Sequence, residues 1–512
     1  MFCAMRLRVV SEPRMKRKVD RDMEASWEGY IERIVADVPT ACYIGGQWVD
    51  ASDGRRMVVD NPATGLPVAE VADASIQDAS RALDAAEAGM PEWARAAPRA
   101  RSEVLRKAFD LMAGRREQLA RLVVVENGKP LRDARSEIAY AAEFFRWYAE
   151  EAVRNIGEVS VAPSGSNRIV VLQQPIGVSV FVTPWNFPAA MLTRKIGPAL
   201  AAGCSVICKP APETPLTALA VARVLEEAGV PPGVVNVLPS KRAAEVVRFL
   251  LRDPRARKLS FTGSTEVGRE LLGVAAENVV NCSMELGGNA PFIVFADADM
   301  DEAVAGAMAA KMRNGGEACT AANRFYVQEE VREEFCHRLA TAMSMLRVGD
   351  GLEEGVAVGP LVSAAALDRV DALVAGALAQ GARAVVGGKR LARKGWFYPP
   401  TVLTDVPLGS PVLTTEVFGP VATVVSFERE DEVVELSNDT EHGLVAYLYT
   451  ADLRRGLNVA ERLEAGMVGI NRGLVSDPAA PFGGVKQSGL GREGGHVGML
   501  EYLETKYIAC SW

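Results

Sequence analysis

Cys319 has the sequence surroundings of a reactive cysteine. It lies in the segment GGEACTAANR (315–324), where the apolar residues follow neither a helical nor a strand period. We therefore expect Cys319 at an exposed turn, where its thiolate can act as a nucleophile. A lone cysteine is more often a small buried hydrophobic residue, and this is the prediction for Cys204, Cys208 and Cys282.

Glu285 is the second residue whose position suggests chemistry. It follows the apolar run VVNCSM and precedes a Gly-Gly pair, which places it at the carboxyl end of a predicted strand. Most glutamates are solvated surface residues. In a partly desolvated cleft, however, a raised pKa would suit this carboxyl group to act as a general base near neutral pH.

Two stretches of alternating strands and helices are predicted to position these side chains. Residues 177–285 alternate short β-branched runs such as GVSVFV and KLSFT with amphipathic helices, and a second alternation follows over 291–471. This pattern is typical of parallel, doubly wound sheets in an α/β protein. Such sheets bind ligands at the carboxyl ends of their strands.

Composition excludes several classes of function. The formal net charge of −8 provides no basic face for nucleic acid. No apolar run approaches the roughly 18 residues of a membrane span, and the start lacks the apolar stretch of a secretory signal. The eight cysteines and three histidines have no zinc-type spacing, so we expect no metal. We also expect a cytoplasmic protein with reduced thiols and no nucleic-acid or membrane partner.

The first residues, 1–24, are basic and lack the periodicity of the rest, so they are predicted to be a disordered arm. Two alternatives stay open. The arm is a targeting peptide, although Glu12 and Asp20 are unusual in one, or Met23 is the usual initiator and the arm reflects an upstream start.

Six short segments together resemble the aldehyde dehydrogenase superfamily, in the order and spacing of that family. They are TPWNFP (183–188), KPAPETP (209–215), FTGSTEVG (261–268), MELGGNAP (284–291), GGEACTAANR (315–324) and TEVFGP (415–420). The likeness runs from about Tyr43 to Tyr507. It implies an enzyme that oxidises an aldehyde to a carboxylic acid with NAD or NADP.

The resemblance also implies a division into domains. The expected fold class is α/β: a doubly wound parallel-sheet cofactor domain, a second α/β catalytic domain and a small β oligomerisation arm. Residues 25–155 and 176–287 are assigned to the dinucleotide-binding domain, 288–487 to the catalytic domain, and 156–175 and 488–512 to oligomerisation segments. The runs RIVVLQQ (168–174) and EYLETKYIA (501–509) either pair with another subunit, in a homodimer or homotetramer, or form internal edge strands.

The family's chemistry assigns roles to the first two candidates. The resemblance implies that Cys319 attacks the aldehyde to give a thiohemiacetal, whose oxyanion accepts from the Asn186 amide and the Cys319 N–H. After hydride transfer to the nicotinamide, Glu285 activates the water that hydrolyses the thioester. Glu317 stands where the family commonly has Gln, and an extra carboxylate there would disfavour the thiolate.

The cofactor site has no G-x-G-x-x-G fingerprint. Instead, the turn Gly263-Ser264 joins the strand KLSFT to a helix whose first N–H groups can meet a pyrophosphate. The resemblance matches Lys209 to the lysine that holds the adenosine ribose, and Glu416 with Phe418 to the residues at the nicotinamide ribose and ring. The full predicted cofactor set is Thr183, Pro184, Trp185, Lys209, Pro212, Gly263, Ser264, Val267, Gly287, Glu416 and Phe418.

Pro212 bears on the choice between NAD and NADP. NAD-selective members of the family often carry, three residues after the lysine, a Glu that accepts from the ribose 2′-hydroxyl and repels a 2′-phosphate. This chain has Pro212 there, and Glu213 is one position out of register. We expect both cofactors to work, with NADP slightly preferred.

Within the superfamily, the segments are most similar to succinate-semialdehyde dehydrogenases, which hold the distal carboxylate of the substrate with two arginines and a serine. The matching residues are Arg194, Arg313 and Ser488. The planar guanidinium makes paired charge-assisted hydrogen bonds to a carboxylate. The subfamily sometimes carries a second cysteine two residues after the nucleophile. Here that residue is Ala321, so no regulatory disulfide is expected.

Other functions stay open. Glutarate semialdehyde, 2-oxoglutarate semialdehyde or another small aldehyde would fit a similar pocket, because one or two carbons change binding by little. A cysteine-dependent esterase could use Cys319 and Glu285 without a dinucleotide, although no His accompanies them. A catalytically silent protein is disfavoured, because the set Cys319, Glu285, Asn186 and Lys209 is intact.

Overall fold

The fold is built around two large sheets, seen in a computed structural model that describes residues 29–511; the predicted arm, 1–24, lies outside the described residues. The first sheet has eight strands, and its central strands are parallel. In spatial order they are Gln47–Val49, Cys42–Ile44, Val235–Val237, Val206–Lys209, Val178–Val182, Ala256–Thr262, Asn281–Glu285 and Gly489–Leu490.

The second sheet has seven strands, all parallel except for one antiparallel edge strand. In spatial order they are Arg383–Val386, Thr401–Thr404, Val421–Phe427, Ala322–Gln328, Ala290–Val294, Val445–Tyr449 and Met467–Ile470. Two short antiparallel strand pairs lie outside the large sheets: Arg56–Asn61 with Leu66–Ala72, and His442–Gly443 with Val485–Lys486.

Helices cover both faces of the first sheet. Alternate side chains of one central strand show this, because Val178 and Val180 pack into one apolar core while Phe181 packs into another. The helices in this part of the chain are a helical stretch over 29–35, then Ile76–Arg95, Pro98–Gly114, Arg116–Asn127, Leu131–Glu151, Ala190–Ala202, Pro215–Ala228, Ala243–Arg252 and Thr265–Ala276. The expected α/β fold class with parallel-sheet domains is confirmed.

The remaining α-helices belong to the second half or to the end of the chain. They are Met300–Met312, Glu329–Ser344, Ala364–Ala379, Pro411–Thr414, Glu430–Asn438, Leu453–Arg462 and Val497–Leu500, with 3₁₀ turns at Ala152–Arg154 and Arg313–Gly316. Local sequence explains several boundaries. The first long helix begins at a capping box formed by Ser75 and Asp78, and Gly203 ends another with a φ of 100°.

A three-stranded antiparallel sheet stands apart from the two large ones. It joins the two β-rich runs seen in the sequence, because Leu503–Cys510 pairs with Arg168–Pro175, which pairs in turn with Glu158–Val161. The segment 488–512 is not uniform, however. Gly489–Leu490 pairs with Asn281–Glu285 at the edge of the first sheet. These two residues therefore belong to that sheet rather than to the three-stranded sheet.

Candidate active site

A cavity of about 170 Å³ opens at the carboxyl edge of the first sheet. The second half of the chain closes it with the loops that lead into the strands Ala322–Gln328 and Val421–Phe427. Many of the predicted residues line the cavity: Pro184, Trp185, Asn186, Gly263, Ser264, Glu285, Gly287, Cys319, Glu416 and Phe418. Met191, Thr262, Leu286 and Arg369 also line it and were not predicted. Thr262 and Leu286 lie inside quoted motifs beside predicted residues, whereas Met191 and Arg369 lie on helices that only the fold brings to the cavity.

Cys319 lies in a turn, as expected, but the turn is not exposed. The chain reaches it through Gly315 and Gly316, which have φ values of 61° and 81°, and a side chain at Gly316 would collide with the Gly419 carbonyl. Cys319 is half-buried, and burial raises the pKa of its thiol to about 12. Nearby negative charges add to this shift, while Arg194 and Arg313 oppose it.

Glu285 ends its strand inside the cavity and is 3% exposed. Burial and the charge of Glu493 raise the pKa of the Glu285 carboxyl well above its ordinary value, against the positive charges of Arg194, Lys195 and Arg492. Its buried Oε2 has no hydrogen-bond partner among the described residues. This oxygen can therefore receive a proton from a water or a substrate.

The Asn186 amide faces the nucleophile's loop. Its Nδ2 donates to the Glu317 carbonyl at 3.1 Å, which leaves the second N–H of the amide for another acceptor. The main-chain carbonyl of Asn186 accepts from Lys129 Nζ at 2.6 Å and from Asn314 Nδ2 at 3.0 Å. Two donors thus hold the main chain at Asn186.

Glu317 does not carry the disruptive charge that its sequence position suggested. Its carboxyl is 3% exposed, and Oε1 accepts from the Val362 N–H at 3.2 Å. Burial raises the pKa of this carboxyl to about 8, so at neutral pH it is largely protonated. The expectation that Glu317 disfavours the thiolate is therefore corrected for neutral conditions.

Arg194 and Arg313 both lie within electrostatic range of the Cys319 sulfur. The Arg194 guanidinium sits 4.1 Å from the centre of the Phe482 ring, and its buried Nε has no partner among the described residues. The Arg313 guanidinium stands 4.8 Å from the centre of the Phe187 ring. Arg194 also pairs with Glu493 at 3.4 Å, so Arg313 and the unpartnered Nε of Arg194 are the groups suited to an anionic substrate.

Ser488 does not join this group. It is fully buried, its Oγ donates to the Gly287 carbonyl at 2.7 Å, and it accepts from the Gly443 N–H at 2.9 Å. The hydroxyl holds two chain segments together and does not line the cavity. Its assignment to the substrate is therefore withdrawn.

The turn at Gly263-Ser264 has the geometry of an anion site. Ser264 is the N-cap of the helix Thr265–Ala276, so the first N–H groups of that helix point towards the cavity edge. A side chain at Gly263 would collide with the Phe261 ring. These features fit the pyrophosphate of a dinucleotide, and the predicted Val267, 43% exposed, lies in the first turn of the helix.

Glu416 and Phe418 form the opposite side of the cavity. The Phe418 ring meets the Trp185 ring edge to face at 5.4 Å, with Phe418 at a φ of 53°. Burial raises the pKa of the Glu416 carboxyl to about 7, against a hydrogen bond from the Gly288 N–H. A carboxyl and an aromatic face at this place fit a ribose and the ring attached to it.

Lys209 lies deeper, at the end of its strand. It is 3% exposed, and burial lowers the pKa of its ammonium to about 8, against the charges of Glu213 and Asp73. Its carbonyl accepts from the Thr183 N–H at 3.2 Å, which joins two predicted cofactor segments. Pro212 lines a separate cavity of about 190 Å³ together with Glu213 and Lys241.

Comparison with known proteins gives a consistent result. A profile described as the aldehyde dehydrogenase family matches residues 48–508. The chain is 54% identical to a succinate-semialdehyde dehydrogenase of Paenarthrobacter nicotinovorans, over 86% of this chain and 98% of the relative. It is 50% identical to a glutarate-semialdehyde dehydrogenase of Pseudomonas aeruginosa, over 91% of this chain and 96% of the relative.

Solved structures agree in fold. A crystal structure of an E. coli NADP-dependent enzyme superposes with a TM-score of 0.92 at 48% identity, covering 93% of this chain and 98% of that one. A betaine aldehyde dehydrogenase of Staphylococcus aureus in complex with NAD+ superposes with a TM-score of 0.92 at 33% identity, covering 94% and 97%. Within residues 29–511, no helix is long and apolar enough to cross a membrane and no cluster could hold a metal ion.

Proposed function

The chain belongs to the aldehyde dehydrogenase family and is an NAD(P)-dependent oxidoreductase, and from this premise we propose that it oxidises succinate semialdehyde to succinate. The observation that carries the proposal is the pair of arginines near the Cys319 thiol: Arg194, packed on the Phe482 ring with a buried Nε that has no partner among the described residues, and Arg313, packed on the Phe187 ring. A substrate with a carboxylate at one end and an aldehyde at the other would bring its aldehyde to that sulfur.

The proposed mechanism divides the reaction between two residues. Cys319 adds to the aldehyde, and the resulting oxyanion accepts from the free N–H of the Asn186 amide and from the Cys319 N–H. A bound NAD(P)+ would supply the hydride acceptor that this oxidation requires, and Cys319 would hold the acyl group as a thioester. Glu285, in its ionised form, then takes a proton from the water that hydrolyses the thioester, and the raised pKa makes that carboxylate a stronger base.

Residues for the cofactor are proposed from the same geometry. Ser264 and the helix it caps would hold the pyrophosphate, Lys209 the adenosine ribose, and Glu416 with Phe418 the nicotinamide end. Near Pro212, Glu213 suits a ribose hydroxyl and Lys241 suits a 2′-phosphate, so both NAD and NADP have a partner there. This supports use of both cofactors.

Glutarate semialdehyde is the second candidate substrate. Two glutarate-semialdehyde dehydrogenases from Pseudomonas species are 50% and 48% identical to this chain. The same two arginines would hold the carboxylate of a substrate one carbon longer.

The three-stranded sheet is proposed as the contact with a second copy of the chain. Large apolar side chains on this sheet are exposed to solvent. Val159 and Tyr507 in its strands are 69% and 58% exposed, and Ile156, two residues before the first strand, is 78% exposed. The free cysteines of the described residues support the proposal that the enzyme works in the reducing cytoplasm.

A panel of substrates tests the proposed function. Purified enzyme is assayed with succinate semialdehyde, glutarate semialdehyde and butanal, each with NAD+ and NADP+, by absorbance of the reduced cofactor. We expect kcat/KM to be highest for succinate semialdehyde. A preference for glutarate semialdehyde selects the second candidate, and a preference for butanal contradicts both.

A further inference from the structure

A buried ion pair lies beneath the loop that carries Asn186. Lys129 Nζ and Glu137 Oε2 are 2.6 Å apart, and their side chains are 1% and 0% exposed. Taking two charges out of water costs free energy that their mutual attraction offsets only when the remaining hydrogen bonds are made. The partners of those remaining bonds therefore indicate what the pair does.

All of the remaining bonds go to one short segment of main chain. Lys129 Nζ donates to the Asn186 carbonyl at 2.6 Å. Glu137 Oε1 accepts from the N–H groups of Ala189 and Ala190 at 2.9 and 3.3 Å. These two residues lie at the start of the helix that carries Arg194. One ion pair therefore holds both the main chain of Asn186 and the start of that helix.

The helix that carries Glu137 also contacts the loop of the nucleophile near its N-terminus. Asp133, one turn before Glu137 on the helix Leu131–Glu151, accepts from the Asn314 N–H through Oδ2 at 3.0 Å. Lys129 Nζ lies 4.2 Å from the centre of the Phe187 ring, and the Arg313 guanidinium contacts this ring as well. The pair is thus connected to both sides of the site without touching the cavity.

We propose that the Lys129–Glu137 ion pair is a positioning element that fixes the Asn186 amide where the oxyanion forms. The inference rests on the proposed role of Asn186. The side chain of Asn186 is held by one bond to the Glu317 carbonyl, and its Oδ1 has no partner among the described residues. Its direction therefore depends on where its main chain lies, and displacement of that main chain moves the donor.

The first test replaces Lys129 with methionine. Because Asn314 also donates to the Asn186 carbonyl, the loss should be partial: kcat falls roughly tenfold to a hundredfold, as for a misplaced catalytic group. The fall should be equal for succinate semialdehyde and butanal, with the KM for NAD(P)+ unchanged. Activity is counted per mole of folded protein, measured by circular dichroism, so that unfolded protein does not contribute.

Lys258→Met is the matched control. Lys258 is equally buried and pairs with Glu501 at 3.1 Å, but its other bonds go to Asn281 and Ser283 rather than to the loop that carries Asn186. We expect its kcat to stay within about twofold of that of the original enzyme, because Lys258 does not position a group that takes part in the reaction. Equal losses in the two variants would show that any buried lysine matters, and would overturn the inference.

A double-mutant cycle identifies the residue through which Lys129 acts. Once Asn186 is replaced by alanine, Lys129→Met should lower kcat little further, because the donor that it positions is gone. Additive losses overturn the inference while leaving the role of Asn186 intact. If Asn186→Ala alone leaves kcat unchanged, the proposed role of Asn186 fails instead.

A second variant covers the case in which Lys129→Met does not fold. Lys129→Met combined with Glu137→Gln removes both charges together and leaves no buried charge without a partner. The glutamine oxygen can still accept from the Ala189 N–H. This variant should show the same loss of kcat, and wild-type kcat in a folded form would overturn the inference.

Discussion

Two regions along the cleft differ in how their charges are arranged. The nucleophile region consists of Cys319, Glu285, Asn186, Arg194 and Arg313, and the ribose region consists of Lys209, Pro212, Glu213 and Lys241. In the nucleophile region the charges are largely buried and shift one another's pKa values. In the ribose region Lys209 is buried, but Lys241 is exposed and Glu213 is partly exposed.

The difference in burial predicts which substitutions have large effects and which have small ones. Charges in a poorly solvated cavity interact strongly, so removal of one group there changes the protonation and alignment of its neighbours. Charges in contact with solvent are screened, and one substitution among them changes binding by little. The effects below are therefore expected to decrease from the nucleophile region to the ribose region.

The largest effect is expected at the two reacting side chains. Cys319→Ala should abolish dehydrogenase turnover, and Glu285→Gln should lower steady turnover by about 10²- to 10⁴-fold, as for loss of a general base. The Glu285 variant should still release one equivalent of reduced cofactor in a rapid burst. Stopped-flow absorbance measures both phases, and loss of the burst would show that Glu285 also serves the first step.

The next effect is selective for substrate. Hydrogen bonds to charged groups contribute on the order of 1.5–3 kcal/mol, so Arg194→Ala or Arg313→Ala should lower kcat/KM for succinate semialdehyde by roughly tenfold to more than a hundredfold. Butanal makes no such bond and should be oxidised nearly as before. Equal losses on both substrates would mean that the arginines serve the fold.

In the ribose region, Pro212→Glu should shift cofactor preference by a smaller factor. A carboxylate three residues after Lys209 repels a 2′-phosphate and accepts from a 2′-hydroxyl. The ratio of kcat/KM for NADP+ to that for NAD+ should fall several-fold, on the order of 1 kcal/mol or less for a partly exposed charge. An unchanged ratio would place Pro212 away from the ribose.

The smallest effect on activity at neutral pH is expected for Glu317→Gln. Glu317 lies beside the nucleophile region, but its carboxyl is largely uncharged at that pH. Because the pKa of this buried carboxyl is raised to about 8, its contribution to stability is complete below its unfolded pKa and is lost as pH rises to about 8. The variant should thus match the original in Tm near pH 5, after allowance for any constant offset, and exceed it near pH 9.

Activity provides an independent reading of the same substitution. Above about pH 8 the original enzyme gains a buried negative charge two residues from Cys319, whereas the glutamine variant does not. The pH profile of kcat should therefore extend to higher pH in the variant. Identical profiles would mean that the charge of Glu317 does not reach the sulfur.

Cys319 and Ser488 illustrate what a motif can and cannot predict. The turn at Cys319 depends on neighbouring residues, because the glycines before it adopt the positive φ values that form the turn. The turn could therefore be predicted from the segment itself. Ser488 was matched by its segment alone, but its hydroxyl bonds to Gly287 and Gly443, which are distant in sequence. A side chain that is satisfied by long-range partners cannot be assigned from its neighbours.

The sequence by itself determined the family, the α/β architecture and the candidate nucleophile, because periodicity and short motifs are local properties of the chain. Only the tertiary structure decided that Cys319 is half-buried, that Glu317 bonds to Val362, and that Lys129 and Glu137 support the Asn186 loop. Burial and partnership set the charge of each group, and both arise from residues that the fold brings together across long stretches of chain.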